Sequence, residues 1–177
     1  MALPSNYFDF FGLPHKLNLD SKDLESRFYD LSKQWHPDRF ARGTPDERRT
    51  SEIATATLND GYRTLKDPVA RAEYLLKEHG LDGGGQRSNT VPPELLDEVF
   101  DLNSALEDEI ENSRSQIEQF REKFLTMNAE LDKQMLEQFA LYDEFENRAN
   151  LEAVRGILNK RKYISNLVQK VEKALAG

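Results

Sequence analysis

From Ser115 to Tyr142 the apolar residues Ile117, Phe120, Phe124, Met127, Leu131, Met135, Phe139 and Tyr142 recur at spacings of three or four. That period is helical, and at 1.5 Å per residue it predicts a rod roughly 40 Å long. A second run, Ile157, Ile164, Val168, Val171 and Leu175, predicts a helix from about Asn150 to Leu175. A third, opened by Pro92-Pro93, carries Leu95, Val99, Leu102, Leu106 and Ile110. Three such helices joined by short polar turns pack as an antiparallel bundle. Period-two alternation is absent and β-branched residues are sparse, so the fold class is all-α.

The first 80 residues read as shorter helices. Tyr7-Phe8-Asp9-Phe10-Phe11 is one or two turns closed by Gly12 and Pro14. A helix capped by Asp20 or Ser21 presents Leu24, Phe28, Leu31 and Trp35 on one face, and Pro37 ends it at His36. The next begins near Thr44 or Pro45, with Ala54, Leu58, Gly61, Tyr62 and Leu65 inward. Gly61 costs roughly 1 kcal/mol relative to Ala inside a helix, which a close helix–helix approach would explain. Asp67 and Pro68 open a fourth helix that turns Ala72, Leu75 and Leu76 inward and ends at Gly80. Four of the ten residues from Gly80 to Asn89 are Gly, marking a flexible join. The expected organisation is a domain at 1–80, a linker at 81–91 and a three-helix domain at 92–177.

Composition removes whole classes of chemistry. The chain has no Cys among its 177 residues, so it offers no disulfide, thiol nucleophile or thiolate metal site. Phosphate-loop, dinucleotide-fold and His-Glu-x-x-His motifs are absent, and the three histidines, His15, His36 and His79, lie in different segments. His15 and His79 read as surface residues near turns. No apolar run approaches membrane-spanning length, and the start has no basic region before an apolar stretch. The net charge of -8 argues against a nucleic-acid partner. The expectation is a cytoplasmic protein that needs no cofactor or metal.

His36-Pro37-Asp38, flanked by Trp35 and Arg39, falls between two helices whose apolar faces match, at the tip of a helical hairpin. Taken alone it is an ordinary turn, with Pro setting the angle and Asp bonding the backbone. An acid–base pair of His36 and Asp38 would need a pocket to exclude water, which a hairpin tip lacks. Lys22, Ser26, Tyr29 and Lys33 share an outward stripe of the preceding helix, beside Asp23, Glu25 and Asp30. In the second half, a helical wheel sets Leu96 and Phe100 beside the core stripe and Asp97, Asp101 and Ser104 on the far side. Large apolar side chains beside carboxylates, on a face the bundle does not need, form a binding-site pattern. The alternative is that Leu96 and Phe100 pack under the linker or the first domain.

The tripeptide, together with Leu58-Asn59-Asp60-Gly61-Tyr62-Arg63-Thr64-Leu65-Lys66-Asp67-Pro68, resembles a J domain. The continuation Arg71-Ala72-Glu73-Tyr74-Leu75-Leu76, the opening Asn6 to Leu13 and the acidic three-helix tail narrow this to a resemblance to the HscB family, the J-type co-chaperones of iron–sulfur cluster assembly. Lacking Cys, the chain resembles the short bacterial type. The resemblance implies a protein that performs no chemistry itself. It would stimulate the ATPase of a DnaK-type chaperone (HscA in this branch) and deliver the cluster scaffold IscU to it. His36, Pro37, Asp38, Arg39, Lys22 and Lys33 would then meet the chaperone. Leu96, Asp97, Phe100, Asp101, Ser104 and Tyr163 match the family's scaffold-binding face, with Asp97 where many members have Met and Ser104 where many have Glu. A J protein serving another client, and a helical scaffold or adaptor in which the tripeptide is only a turn, remain as alternatives.

Overall fold

Every helix start in the first half has an acceptor side chain that satisfies orphan backbone N–H groups. The computed structural model describes residues 3–81, 93, 96–107 and 113–176. Helix α1 (Tyr7–Phe11) is capped by Asn6, whose side chain accepts from the Asp9 N–H at 2.8 Å. Helix α2 (Ser21–Gln34) is capped by Asp20, and α4 (Pro68–Glu78) by Asp67. Helix α3 (Pro45–Lys66) has a complete capping box between Thr44 and Glu47, with Pro45 at its first position. The Thr44 N–H bonds the Glu47 carboxylate and holds its pKa below the usual range. Gly12 ends α1 with φ 63°, a left-handed backbone that suits glycine. Among the described residues no strand occurs, and the chain is all-α.

The chain divides into two compact units, residues 1–80 with Tyr142–Glu146, and Leu81–Leu141 with Asn147–Gly177. In the first, α2 and α3 form the hairpin and α1 and α4 pack on α3. Phe8, Phe11, Leu17, Leu24, Ala54, Leu58, Leu65, Ala72 and Leu75 are buried. Gly61 marks the close approach its sequence position suggested, although the neighbours are side chains of α1. A Cβ there would lie 2.9 Å from Cε2 of Phe11 and 3.0 Å from Cδ1 of Tyr7. Phe11 is buried and the Tyr7 ring stacks on Tyr74 at 4.7 Å, so neither ring is free to yield. Gly61→Ala gains about 1 kcal/mol of helix propensity but overpacks at a cost of about 1–3 kcal/mol. The expected net is a destabilisation of about 1 kcal/mol, read as a lower melting temperature in Trp35 fluorescence; a raised one would refute the steric argument.

The second unit contains α5 (Leu96–Glu107), α6 (Ser113–Phe145, apart from its end) and α7 (Arg148–Ala176). The pairs Arg121–Glu172, Asn128–Ser165, Asp132–Arg161 and Gln138–Asn150 count up one helix and down the other, so α6 and α7 are antiparallel. Leu102, Ile117, Phe124, Leu131, Ile164, Leu167, Val168 and Val171 form one core cluster. Expected positions Leu95 and Ile110, the Leu106 side chain and the Pro92-Pro93 start lie outside what is described, apart from Pro93 itself, which is exposed. The stripe of α7 is longer than its sequence reading: Leu151, Val154 and Leu158 are buried, and Ile157 sits at the core edge. The α6–α7 turn passes through Glu146 at φ 49°, whose N–H bonds the Tyr142 carbonyl at 2.7 Å. Tyr142, read as part of the bundle stripe, is buried in the first unit instead, its hydroxyl 3.2 Å from Nε2 of His79.

Candidate functional site

Helix α2 ends because Pro37 holds His36 in extended backbone, at φ -59° and ψ 129°. Residues Pro37–Phe40 then make a single 3-10 turn. Nδ1 of His36 accepts from the Asp38 N–H at 3.3 Å and lies 3.6 Å from Oδ2 of Asp38. The Arg39 guanidinium turns back and donates to the Lys33 carbonyl at 3.3 Å, which satisfies a carbonyl at the end of α2. The Asp38 side chain is 92% exposed and the His36 ring 57% exposed. The tripeptide therefore projects a carboxylate and an imidazole edge into solvent.

Lys22, Ser26, Tyr29 and Lys33 are all exposed on α2. One of the acidic neighbours that would oppose this stripe is engaged elsewhere, since Asp23 pairs with Arg27 at 3.0 Å. Arg27 also donates to the carbonyls of Phe11 and Gly12, tying α2 to the end of α1. His15 meets Asp9 at 2.9 Å and stacks on Phe8 at a ring separation of 5.0 Å. Its hydrogen bond lowers the Asp9 pKa below the carboxylate norm. Among the described residues no three His, Asp or Glu side chains gather where they could hold a metal ion, and no helix is long and apolar enough to cross a membrane.

On α5, Leu96 is 53% exposed and Phe100 71% exposed. Neither side chain is taken up by the core of the second unit. Leu102 is fully buried and Val99 packs at the core edge, so the helix spends one face on the bundle and leaves the other to solvent. Asp97, Asp101 and Ser104 are exposed beside the two apolar side chains. Tyr163 on α7 is half-buried against the core cluster. Lys170 of α7 donates to Asn103 of α5, a contact the sequence did not signal.

Known proteins are similar to the chain over almost its whole length. Residues 91–172 match the family model described as the HSCB C-terminal oligomerisation domain. The co-chaperone protein HscB homolog of Vibrio atlanticus is 37% identical over 167 residues, covering 94% of this chain and 95% of that protein. The homolog of Aliivibrio salmonicida is 36% identical over 170 residues, covering 95% of each. Among solved structures, chaperone HscB from Vibrio cholerae matches with a TM-score of 0.64 and 32% identity, covering 95% of this chain and 96% of that one. Human co-chaperone protein HscB matches with a TM-score of 0.69 and 27% identity, covering 94% of this chain and 80% of that one.

Proposed function

The chain belongs to the HscB co-chaperone family, and from that premise we propose that it stimulates the ATPase of a DnaK/HscA-type chaperone and delivers the iron–sulfur scaffold IscU to it. The observation that carries this reading is the solvent-projected His36-Pro37-Asp38 turn at the tip of the α2–α3 hairpin. Pro37 fixes the turn, Asp38 offers its carboxylate to a cation of the ATPase, and His36 supplies a polar ring. Charge-assisted bonds of this kind are the strong ones at an interface. Lys22, Lys33 and Arg39 extend the contact with positive charge toward an acidic chaperone surface. The protein does no chemistry of its own and works in the cytoplasm. Residues 1–80 serve the chaperone and 92–177 the client, and joining the two raises the client's effective concentration at the chaperone.

Leu96 and Phe100 anchor the client, with Asp97, Asp101, Ser104 and Tyr163 around them. No Lys or Arg occurs between Arg87 and Arg114, so this end of the chain favours a scaffold with a basic patch. The test is calorimetry with IscU. Leu96→Ala combined with Phe100→Ala is expected to weaken binding at least about tenfold, since burying each such side chain is worth roughly 1.5–3 kcal/mol. Both side chains are exposed in the free protein, so helicity and melting temperature are expected to hold. Affinity is also expected to fall with added salt. Unchanged affinity in the double variant would remove this face from the client site.

Self-association is a second reading, favoured by the description of the matched family and by Leu125 and Leu136, which lie exposed on one stripe of α6. Sedimentation of the wild-type chain, where a concentration-dependent dimer lost in Leu136→Glu would support it, separates the two.

A further inference from the structure

The carbonyl of Trp35 sits at the end of α2, where backbone acceptors lack helical donors. It is not left to water. Ser51 Oγ donates to it at 2.7 Å and Thr55 Oγ1 at 3.2 Å, both from α3. The two hydroxyls are one helical turn apart, so they converge on the two lone pairs of a single oxygen. Ser51 is 1% exposed, one of few buried polar residues in the first unit. The peptide they grip is the one that leads into His36. On the other side of the turn, the Phe40 ring stacks over Trp35 with 6.1 Å between centroids and 14° between planes. Entry and exit of the tripeptide are therefore both referred to the hairpin, while the tripeptide's own side chains make only the weak contact between His36 and Asp38.

We propose that Ser51 and Thr55 are positioning residues for the His36-Pro37-Asp38 turn: their paired hydroxyls hold the Trp35–His36 peptide plane and so keep the turn in the conformer that meets the chaperone. This rests on the ATPase-stimulating reading above. A turn attached only through its chain ends samples several conformers, and the apparent affinity of a partner for one of them falls by the fraction populated. Fixing the peptide plane from α3 removes that loss before docking. The arrangement acts on how much protein is needed for stimulation and leaves untouched the rate reached once the complex is saturated, because both hydroxyls are engaged by the Trp35 carbonyl inside the hairpin.

The experiment titrates the full chain into its cognate DnaK-type chaperone and reads single-turnover ATP hydrolysis. Ser51→Ala with Thr55→Val keeps the volumes close and removes both donors. The half-stimulating concentration is expected to rise about fivefold or more, the scale of one hydrogen bond's net worth in binding, with the saturating rate unchanged. Assays are run where circular dichroism shows each variant fully folded, so lost stability does not imitate lost affinity. Trp35 emission is expected to shift in the double variant, because its carbonyl is released and its ring loosens on Phe40. Thr55→Ser alone, which keeps the hydroxyl, is expected to behave as wild type. A folded double variant with wild-type titration would overturn the proposal. So would a lowered saturating rate at unchanged half-stimulating concentration. If the wild-type chain itself fails to stimulate, it is the ATPase reading that falls, and the Trp35 emission of the variants still reports whether the clamp orders the turn.

Discussion

His36→Gln is expected to return the chaperone's single-turnover ATP hydrolysis to its basal rate while the variant keeps the wild-type far-ultraviolet spectrum. Both halves of this expectation follow from where the ring sits. Its one internal bond, from the Asp38 N–H to Nδ1, is exposed and long, at 3.3 Å. Losing it costs less than about 1 kcal/mol. No apolar core residue depends on the ring, which is more than half exposed. What Gln lacks is the planar edge carrying two nitrogens at fixed positions. A variant that stimulates normally would reduce the tripeptide to an ordinary turn. A wild-type protein that leaves its own organism's chaperones at their basal rate would exclude the ATPase reading altogether.

The other large effect is expected at Arg71, on stability. This side chain is 7% exposed and donates through Nε to the Leu17 carbonyl at 2.7 Å and through a terminal nitrogen to the Leu65 carbonyl. Asp143 approaches the same loop from the end of α6 and accepts from the N–H groups of Leu17 and Asn18, each at 2.7 Å. Burial lowers the Arg71 pKa from its usual value, and Asp143 and Asp67 oppose that. Arg71→Ala strands two buried carbonyls, each at a cost of about 1–3 kcal/mol, and removes the cation nearest Asp143, a loss on the order of 3 kcal/mol or more. For a unit of this size each kcal/mol is worth about 4–8 °C, so the melting temperature is expected to drop by more than about 10 °C. Trp35 is the single Trp and lies in the first unit, so its fluorescence reads this melt directly. Arg71→Lys is not expected to rescue it, because one ammonium cannot reproduce the two-pronged donation. A melting temperature within about 2 °C of wild type would show that water replaces the guanidinium.

Much of the candidate site was legible because it is local. Pro37 follows an amphipathic run and forces His36 out of the helical region, so the turn follows from the chain itself. The position of Leu96 and Phe100 off the apolar stripe follows from helix geometry too. A wheel shows only a helix's own faces, however, and says nothing about what covers them. That Leu96 and Phe100 stay outside the second unit's core is a three-dimensional fact, carried by their exposure of 53% and 71%. The Ser51–Thr55 clamp left a fainter trace. A Ser on the inward side of an amphipathic helix is a polar residue in want of a partner, but the partner, a carbonyl sixteen residues back, has no sequence signature.

By itself the sequence determined the all-α class, the helix boundaries of the first half to within a residue or two, the helix starts at Asp20 or Ser21, at Thr44 or Pro45 and at Asp67-Pro68, and the tripeptide at a hairpin tip. Each depends on interactions reaching three or four residues, which periodicity and capping record. Only the tertiary structure decided that Tyr142–Glu146 cluster with residues 1–80, and that Asp143 holds a loop 126 residues away. It alone set Lys170 against Asn103 across 67 residues. Charged and amide side chains look alike in sequence whether they are solvated or paired. Their pairing is settled by how the helices pack, and that packing is fixed by apolar faces whose partners the one-dimensional pattern does not name.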